Sequence, residues 1–421
     1  MNESQQSMLV SSARWLTFAS SAVIVLGIAP SQIFLGLALL ALLLSREKLS
    51  LPPMKLPLAL FLIGTLLAVC LSGNPMAGFP QVKKIYVFTQ LLVAYTLLRT
   101  TKLARWLVLT WAAFGATSAL VGLVQFATKV HRINAEHRDF YPAYMAARIT
   151  GFMSHWYTFS VEEMLVLLML GSFLLFSPVA RRHIWLWTAM AVTMALGVVL
   201  AETRAVWIAT IVGVIYLVWC WRPWLTAAIP ALVVGGLLLA PPTLRERAVS
   251  IVQPGRDDSN GFRQILMRTG VRMVEAHPWF GLGPEMPRKR FMAYLPADVP
   301  LPLPAGSYMH LHNLYLEYAA ERGIPVLLIF LWLIAKILWD FARAVRCLPP
   351  GRNDRRFLLH GGIAVVIAIL FEGVADVNLG DSEVLTMFLV VVALAYNAVA
   401  KNAGTDSAET RHLEAAVTHG H

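Results

Sequence analysis

Charge is scarce in this sequence. Asp, Glu, Lys and Arg make up only 14% of its residues, where a soluble domain typically carries about 25%, so a water-facing globular body is excluded. Cysteine is scarcer still. Cys70, Cys220 and Cys347 are scattered without C-x-x-C spacing, which argues against a disulfide framework or a thiolate metal site. No motif recurs at the period of roughly 20 to 50 residues that a solenoid or propeller needs. No low-complexity tract occurs beyond a short polar tail after Lys401. The first apolar segment, "WLTFASSAVIVLGIAP", lacks a convincing cleavage site and runs at once into further apolar sequence. It reads as the first helix and not as a signal peptide.

Apolar sequence is what abounds. Residues of hydrophobic type make up 57% of the chain, and runs long enough for membrane helices recur from end to end. Candidate spans fall approximately at 15–29, 31–45, 56–72, 82–98, 104–128, 158–178, 183–201, 205–221, 224–240, 323–345, 357–375 and 382–400. The expected fold is an all-α polytopic membrane protein with about 12 transmembrane helices. An even number puts both termini on one side. The loops "SREKLSLPPMK", "RTTKLAR", "ARRH", "WRPW" and "RAVRCLPPGRNDRRF" carry fourteen Lys or Arg, against three (Lys83, Lys84 and Arg204) in the short loops opposite. The positive-inside rule therefore predicts cytoplasmic N- and C-termini. A formal net charge of +11 would suggest nucleic acid in a soluble chain, but the number of spans excludes that partner.

Two longer segments face outward in this topology. One is "KVHRINAEHRDFYPAYMAARITGFMSHWY" (129–157). The other, 241–322, is the largest polar region and holds ten Lys or Arg from Arg245 to Arg322. Long translocated loops escape the charge rule. Within the second, "GFRQILMRTGVRMVEAHPW" has helical spacing, with Arg268, Arg272 and Glu275 at i, i+4, i+7 and Leu266, Met273 and Val274 nearer the other side. Pro278 ends the helix and "FGLGPEMP" is a loop. The expected organisation is a transmembrane bundle of about nine spans over 1–240, a loop subdomain of about two helices over 241–322, and the last three spans with a cytoplasmic tail over 323–421.

Four kinds of residue invite a chemical reading. Arg204, in "LAETRAVWIAT", sits where two apolar segments reverse within a few residues. A guanidinium in such a place snorkels to the interface, pairs with Glu202 or faces a protein cavity. Arg263 follows "GRDDSNG" and opens the loop helix, where free N–H groups and a planar guanidinium fork both suit an anion. Arg268 and Arg272, taken alone, read as solvated surface arginines. His310 and His312 lie just before an apolar span. They lack the third ligand a zinc site needs, so no metal is expected. An imidazole, with an ordinary pKa of about 6.5, can instead hydrogen-bond at the interface or act as a general base. Asn313 is placed to cap the helix "HNLYLEYAAERG", read as the beginning of the next span.

The ordered set "RQILMRTGVRMVEAHPWFGLG" (263–283) and "HNLYLEYAAERGIPVLLIFL" (312–331) resembles the O-antigen ligase/O-antigen polymerase superfamily of bacterial membrane glycosyltransferases. That pattern has an Arg fifteen residues before a Pro, then Gly-x-Gly, then His-Asn-x-x-Leu with a later acidic residue and Gly. Arg263, Pro278, Gly281, Gly283, His312, Asn313, Glu321 and Gly323 match it. Arg204 in "ETRAVW" fits the family's earlier span-opening Arg. Arg148 in "RITGFMSHWYTFS" fits an R-x-x-G-F element, although His155-Trp156 stand where the family often has Pro-Asn. The resemblance covers about 145–335.

The resemblance implies a GT-C-like membrane enzyme with a large periplasmic helical loop. It implies transfer of a sugar chain from undecaprenyl pyrophosphate to an acceptor at the periplasmic face of the inner membrane. The favoured acceptor is the lipid A–core oligosaccharide; a polymerase or a protein O-oligosaccharyltransferase is the alternative. His312 is then the general base, and Arg204 and Arg263 neutralise the departing pyrophosphate without a metal or cofactor. Arg148, Asn313, Lys83, Lys84, Arg268 and Arg272 are the expected substrate contacts, within surrounding membrane lipid. Attack opposite the leaving group inverts the anomeric centre. The aromatics Phe140, Tyr141, Tyr144, Phe152, Trp156 and Tyr157 are read as an interfacial belt or as platforms for sugar rings. Glu372, Asp376, Asp381 and Glu383 are read as partners for loop arginines. A lipid-linked sugar flippase is the distant alternative, disfavoured because charge concentrates at the outer mouth instead of the midplane.

Overall fold

The computed structural model describes residues 3–240, 244–245, 247–249, 258–303 and 310–418, with 258–260 and 401–418 described by backbone alone. Every regular element among them is helical. In chain order these are α1 (Glu3–Val23), α2 (Ile28–Ser45), α3 (Lys55–Leu71), α4 (Pro75–Lys84), α5 (Thr89–Leu97), α6 (Thr101–Ala135), α7 (Phe140–Ala146), α8 (Trp156–Phe176), α9 (Ile184–Leu200), α10 (Arg204–Trp221) and α11 (Ala228–Leu239). There follow α12 (Asp258–Ala276), α13 (Met286–Tyr294), α14 (Leu314–Arg322), α15 (Ile324–Arg346), α16 (Asp354–Glu372) and α17 (Ser382–Thr418).

All twelve apolar segments expected from the sequence fall on helical elements, but they are not equal. Eight stretches are long and apolar enough to cross a membrane: Glu3–Leu26, Ile28–Ser45, Thr101–Ala135, Trp156–Phe176, Val179–Leu200, Arg204–Trp221, Ile324–Arg346 and Ser382–Ala400. Lys55–Leu71 and Pro223–Leu239 are apolar but shorter. The expected span 82–98 lies on α4, a 3-10 turn (Ile85–Phe88) and α5, with Pro80 inside the first of these. The expected span 357–375 lies on α16, whose first turn is charged. By length and composition alone, eight of the helices among the described residues qualify as spans. Apolar faces left bare point the same way. No residue of α11 is buried, and Leu232, Leu238 and Leu239 are exposed. A surface of that kind faces lipid, where a helix satisfies its own backbone hydrogen bonds. The chain is a polytopic membrane protein.

At the centre stand α8, α16 and α17, packed on one another, with α10 against α8 and α16. The windows of α8 and α17 are 78% and 83% buried inside the protein, so these two helices barely meet lipid. One end of the bundle is closed by an ion pair between Arg105 and Asp354 and by Arg352 bonding the carbonyls of Leu174 and Ser177. At the other end the N-termini of α8, α10, α14 and α17 meet the C-terminus of α16.

Over that second end lies a small separate core. Leu266 and Met273 of α12 pack with Leu282, Met286 and Phe291, and with Leu311 and Ala320 from around α14. The apolar side expected for α12 is the side that is buried, while Arg268 is exposed. The segment "HNLYLEYAAERG" is not the beginning of a span. It is the distinct helix α14, ended by Gly323, with Pro325 in the first turn of α15.

The break at Gly323 has a steric cause. Gly323 has φ +84°, and a Cβ there would lie 2.2 Å from the carbonyl oxygen of Trp279. Reciprocally, Gly281 has φ +67°, and its Cβ would lie 2.3 Å from the carbonyl carbon of Glu321. Two backbones cross here with no room for side chains. Four hydrogen bonds seal the crossing: Leu282 N–H to Ala320 O (2.8 Å), Gly283 N–H to Glu321 O (2.9 Å), Ile324 N–H to Pro278 O (2.8 Å) and Glu285 N–H to Glu321 Oε1 (2.8 Å). Gly-x-Gly, Glu321 and Gly323 are therefore one clamp, which ties α12 to α14 and α15.

Candidate active site

A cavity of about 570 Å³ opens at this end. Arg148, Arg204, Arg247 and Arg263 line it, with His155, Trp156, Tyr157, Thr203, His310, His312, Asp376 and Asp381. Among the described residues lining it are four guanidinium groups and two carboxylates.

Each wall has a local reason. Arg204 is the first residue of α10, after a turn in which Glu202 takes φ +51°. Arg148 belongs to the 129–157 segment, which folds back on an α6 longer than the sequence suggested. Gln125 Oε1 accepts from the N–H groups of Thr150 (2.9 Å) and Gly151 (3.1 Å), and Lys129 bonds the carbonyl of Arg148 at 2.8 Å. His155 caps α8 by accepting from Tyr157 N–H. Two members of the acidic group tie down α8, Tyr157 donating to Glu372 (3.0 Å) and Thr158 to Asp381 (2.5 Å), while the charge of the loop residue Arg263 acts on Glu372 and Asp376.

Arg263 reaches the cavity from the second turn of α12, because that helix begins at Asp258. The helix N-terminus therefore lies a turn away from Arg263, and the guanidinium acts through its own charge. Part of the "GRDDSNG" loop expected before it lies outside the described residues.

His312 is held in a left-handed backbone conformation, φ +48°, which costs of order 1–3 kcal/mol in a non-glycine residue. Its neighbours enforce it. Asn313 caps α14 by accepting from Leu316 N–H (2.9 Å) and donates to Val374 O (2.9 Å). Leu314 N–H bonds Gly373 O at 2.8 Å, and Leu311 N–H bonds Glu317 Oε2 at 2.8 Å. His312 Nδ1 lies 3.2 Å from Asp376 Oδ1. Burial alone raises a carboxyl's pKa, but His312, the Val377 N–H and the charge of Arg263 outweigh it and hold Asp376 below the usual range. His310 is drawn the other way. The Glu317 carboxylate, 3.8 Å from its Nδ1, pushes its pKa up against the effect of burial. Burial and the Arg148 charge push that of His155 down.

The expected site residues divide accordingly. Arg148, Arg204, Arg263 and His312 are brought together. Asn313 has both polar side-chain atoms engaged in positioning. Lys84, in the last turn of α4, bonds Gly380 O at 2.5 Å, and Lys83 lies over Phe79; neither lines the cavity. Arg268 makes a two-pronged pair with Asp298 (2.8 Å each), and Arg272 bonds Leu295 O, both on an exposed groove elsewhere. Of the aromatics, Trp156 and Tyr157 line the cavity, whereas Phe140 and Tyr144 stack together beside Phe126.

Sequence reasoning passed over Arg247, His155 and the pairing role of Asp376. It also passed over Glu162 and Glu163, buried within α8 without hydrogen-bond partners among the described residues. Ionisable side chains are thus not confined to the mouth. The adjacent pair "EE" inside an otherwise apolar run was the available signal.

The described residues thus form an all-helical membrane protein with an arginine-lined, histidine-bearing cavity at one end of its bundle. Residues 189–331 match the family model described as O-antigen ligase. The match places that segment in the O-antigen ligase/polymerase superfamily, a family of glycosyltransferase-like membrane enzymes. No curated protein matches the chain. The matched segment contains Arg204, Arg247, Arg263, His310 and His312. Arg148, Trp156 and Asp376, outside it, complete the cavity.

Proposed function

We propose that the protein is an inverting glycosyltransferase. It moves O-antigen polysaccharide from undecaprenyl pyrophosphate to the lipid A–core oligosaccharide at the periplasmic face of the inner membrane, both termini being cytoplasmic. The observation that carries this reading is the convergence of Arg204, Arg263 and His312 on one cavity. The loops rich in Lys and Arg lie at the opposite end, which supports a periplasmic cavity under the positive-inside rule.

The chemistry follows from the donor. Its diphosphate is already a good leaving group, so it needs charge neutralisation. Arg204 and Arg263 supply charge-assisted hydrogen bonds in a partly desolvated site, where such bonds are strong. An acceptor hydroxyl gives its proton to His312 Nε2 as its oxygen attacks the anomeric carbon. The new C–O bond forms as the bond to the diphosphate oxygen breaks, and the electron pair leaves with undecaprenyl pyrophosphate. Asp376, against Nδ1, orients the ring and stabilises the imidazolium, the role of a carboxylate behind a catalytic histidine.

The test is a reaction of purified protein with lipid-linked polysaccharide and lipid A–core in the presence of EDTA. Transfer to the core supports ligation. Extension of the lipid-linked chain, or transfer only to a protein acceptor, replaces it with the sibling activities. Loss of transfer on chelation removes the metal-free mechanism.

A further inference from the structure

Two imidazoles of the cavity turn the same nitrogen toward opposite chemistry. His312 turns Nδ1 to a carboxylate oxygen, Asp376 Oδ1, at 3.2 Å. His155 turns Nδ1 to a donor, the backbone N–H of Tyr157, also at 3.2 Å. A ring nitrogen that faces a carboxylate carries a proton, whereas one that accepts from an N–H carries none. We propose that His155 is a further substrate-binding residue of this site: with Nδ1 committed to capping α8, its proton sits on Nε2, and that N–H donates to an oxygen of the bound substrate while His312 Nε2 accepts a proton. The inference deepens the glycosyl-transfer reading and rests on it.

Three observations carry the proposal. His155 is the N-cap of α8, with an extended backbone of φ −135° and ψ 138°. A capping side chain must accept, and an imidazolium has no lone pair with which to do so. The residue is also exposed and stands in the cavity wall, so Nε2, on the ring edge away from the cap, is the nitrogen left for a ligand. The Trp156 ring, 4.0 Å from the imidazole, holds that edge in place. Finally, the surroundings favour the uncharged ring. Burial and the Arg148 charge push its pKa down, against the pull of Asp381 and Asp376, and the positive end of the α8 dipole acts in the same direction. Arg204, Arg247, Arg263, His310 and His312 share the cavity. A neutral imidazole at a helix N-terminus polarises a substrate oxygen without surrendering its proton. His155-Trp156 stand where the resembling family often has Pro-Asn, so this donor is a feature of the present chain and not of the shared pattern.

The experiment uses the full-length protein in detergent or nanodiscs, carrying His155→Asn or His155→Gln. Asn is among the strongest N-caps, so it keeps the cap and removes the donor. The Gln amide reaches about as far as Nε2, so it restores a donor and weakens the cap. The expected His155→Asn protein has the wild-type thermal midpoint and a kcat/KM lower by about 10- to 100-fold, the worth of one hydrogen bond to a charged oxygen. His155→Gln is expected to recover much of the activity at a lower midpoint. Titration with undecaprenyl pyrophosphate and with lipid A–core, which needs no turnover, assigns the oxygen: weaker binding of the first places it on the diphosphate, of the second on the acceptor. Wild-type kinetics and binding in His155→Asn would reduce the residue to a cap and overturn the proposal, as would losses in both variants that simply follow their thermal midpoints. Wild-type protein that binds neither ligand and transfers nothing sinks the transfer reading and this inference with it. Wild-type transfer beside an unimpaired Asn variant sinks this inference alone.

Discussion

His312 and Asp376 meet across the mouth of the bundle, Nδ1 to Oδ1 at 3.2 Å, although one precedes α14 and the other follows α16. Under the proposed function, that proximity leaves Nε2 for the substrate. Replacing His312 by Ala is expected to lower transfer by about 10²–10⁴-fold, the usual worth of a positioned base. Membrane insertion and lipid-linked donor levels stay normal. Asp376→Asn keeps the shape but not the charge, and its loss should lie in kcat with donor KM little changed. Single-turnover rates with the two variants check this, and an unimpaired H312A protein removes the ring from the mechanism.

Arg204→Lys and Arg263→Lys retain a charge but lose the planar fork. Each is expected to lose on the order of 10²-fold or more in kcat, because a point charge does not reproduce bidentate bonding to a diphosphate. Steady-state kinetics at saturating donor provide the measurement.

Gly281→Ala and Gly323→Ala drive a Cβ into backbone atoms 2.3 and 2.2 Å away, at φ +67° and +84°. Each is expected to destabilise the clamp by about 1–3 kcal/mol and to cut activity without touching a cavity residue. Thermal midpoints and limited proteolysis between α12 and α14 report the loss. Wild-type resistance in both variants contradicts the clamp.

The raised pKa of His310 gives stability a pH dependence. A folded-state pKa above the ordinary value of about 6.5 means that the stabilisation is complete below that value and fades as pH rises through the folded one. The ring is half-exposed, so the term is ~0–1 kcal/mol. The wild type should therefore melt above His310→Gln in mild acid and level with it in base. Glu317→Gln should flatten the difference, and an advantage that grows toward alkaline pH reverses the assignment.

Much of this architecture was legible in the chain because membrane helices are specified locally. A run of apolar residues satisfies its backbone within itself, so each expected segment proved helical. Arg204, Arg263, His312 and Arg148, which line the cavity, were singled out as well, through spacing and family resemblance. Arg247 was not: it lies in a basic loop with no pattern to single it out, and its place in the cavity wall, against Tyr141 and the Glu202 carbonyl, is what distinguishes it from Arg268. Arg268, a solvated surface arginine by its spacing and an expected substrate contact only through the resemblance, pairs with Asp298. A guanidinium's role depends on which carboxylate lies nearest, and that is a matter of distance in space.

By itself, then, the sequence determined that the chain is a helical membrane protein, and it marked Gly281 and Gly323 only as members of a family pattern. Tertiary structure alone decided that Asp376 stands behind His312, that Glu317 braces the segment before it, and that four arginines share one cavity. Helix formation and lipid preference arise from neighbours a few residues apart. A catalytic constellation arises where ends of separate helices meet, and no local period encodes that meeting.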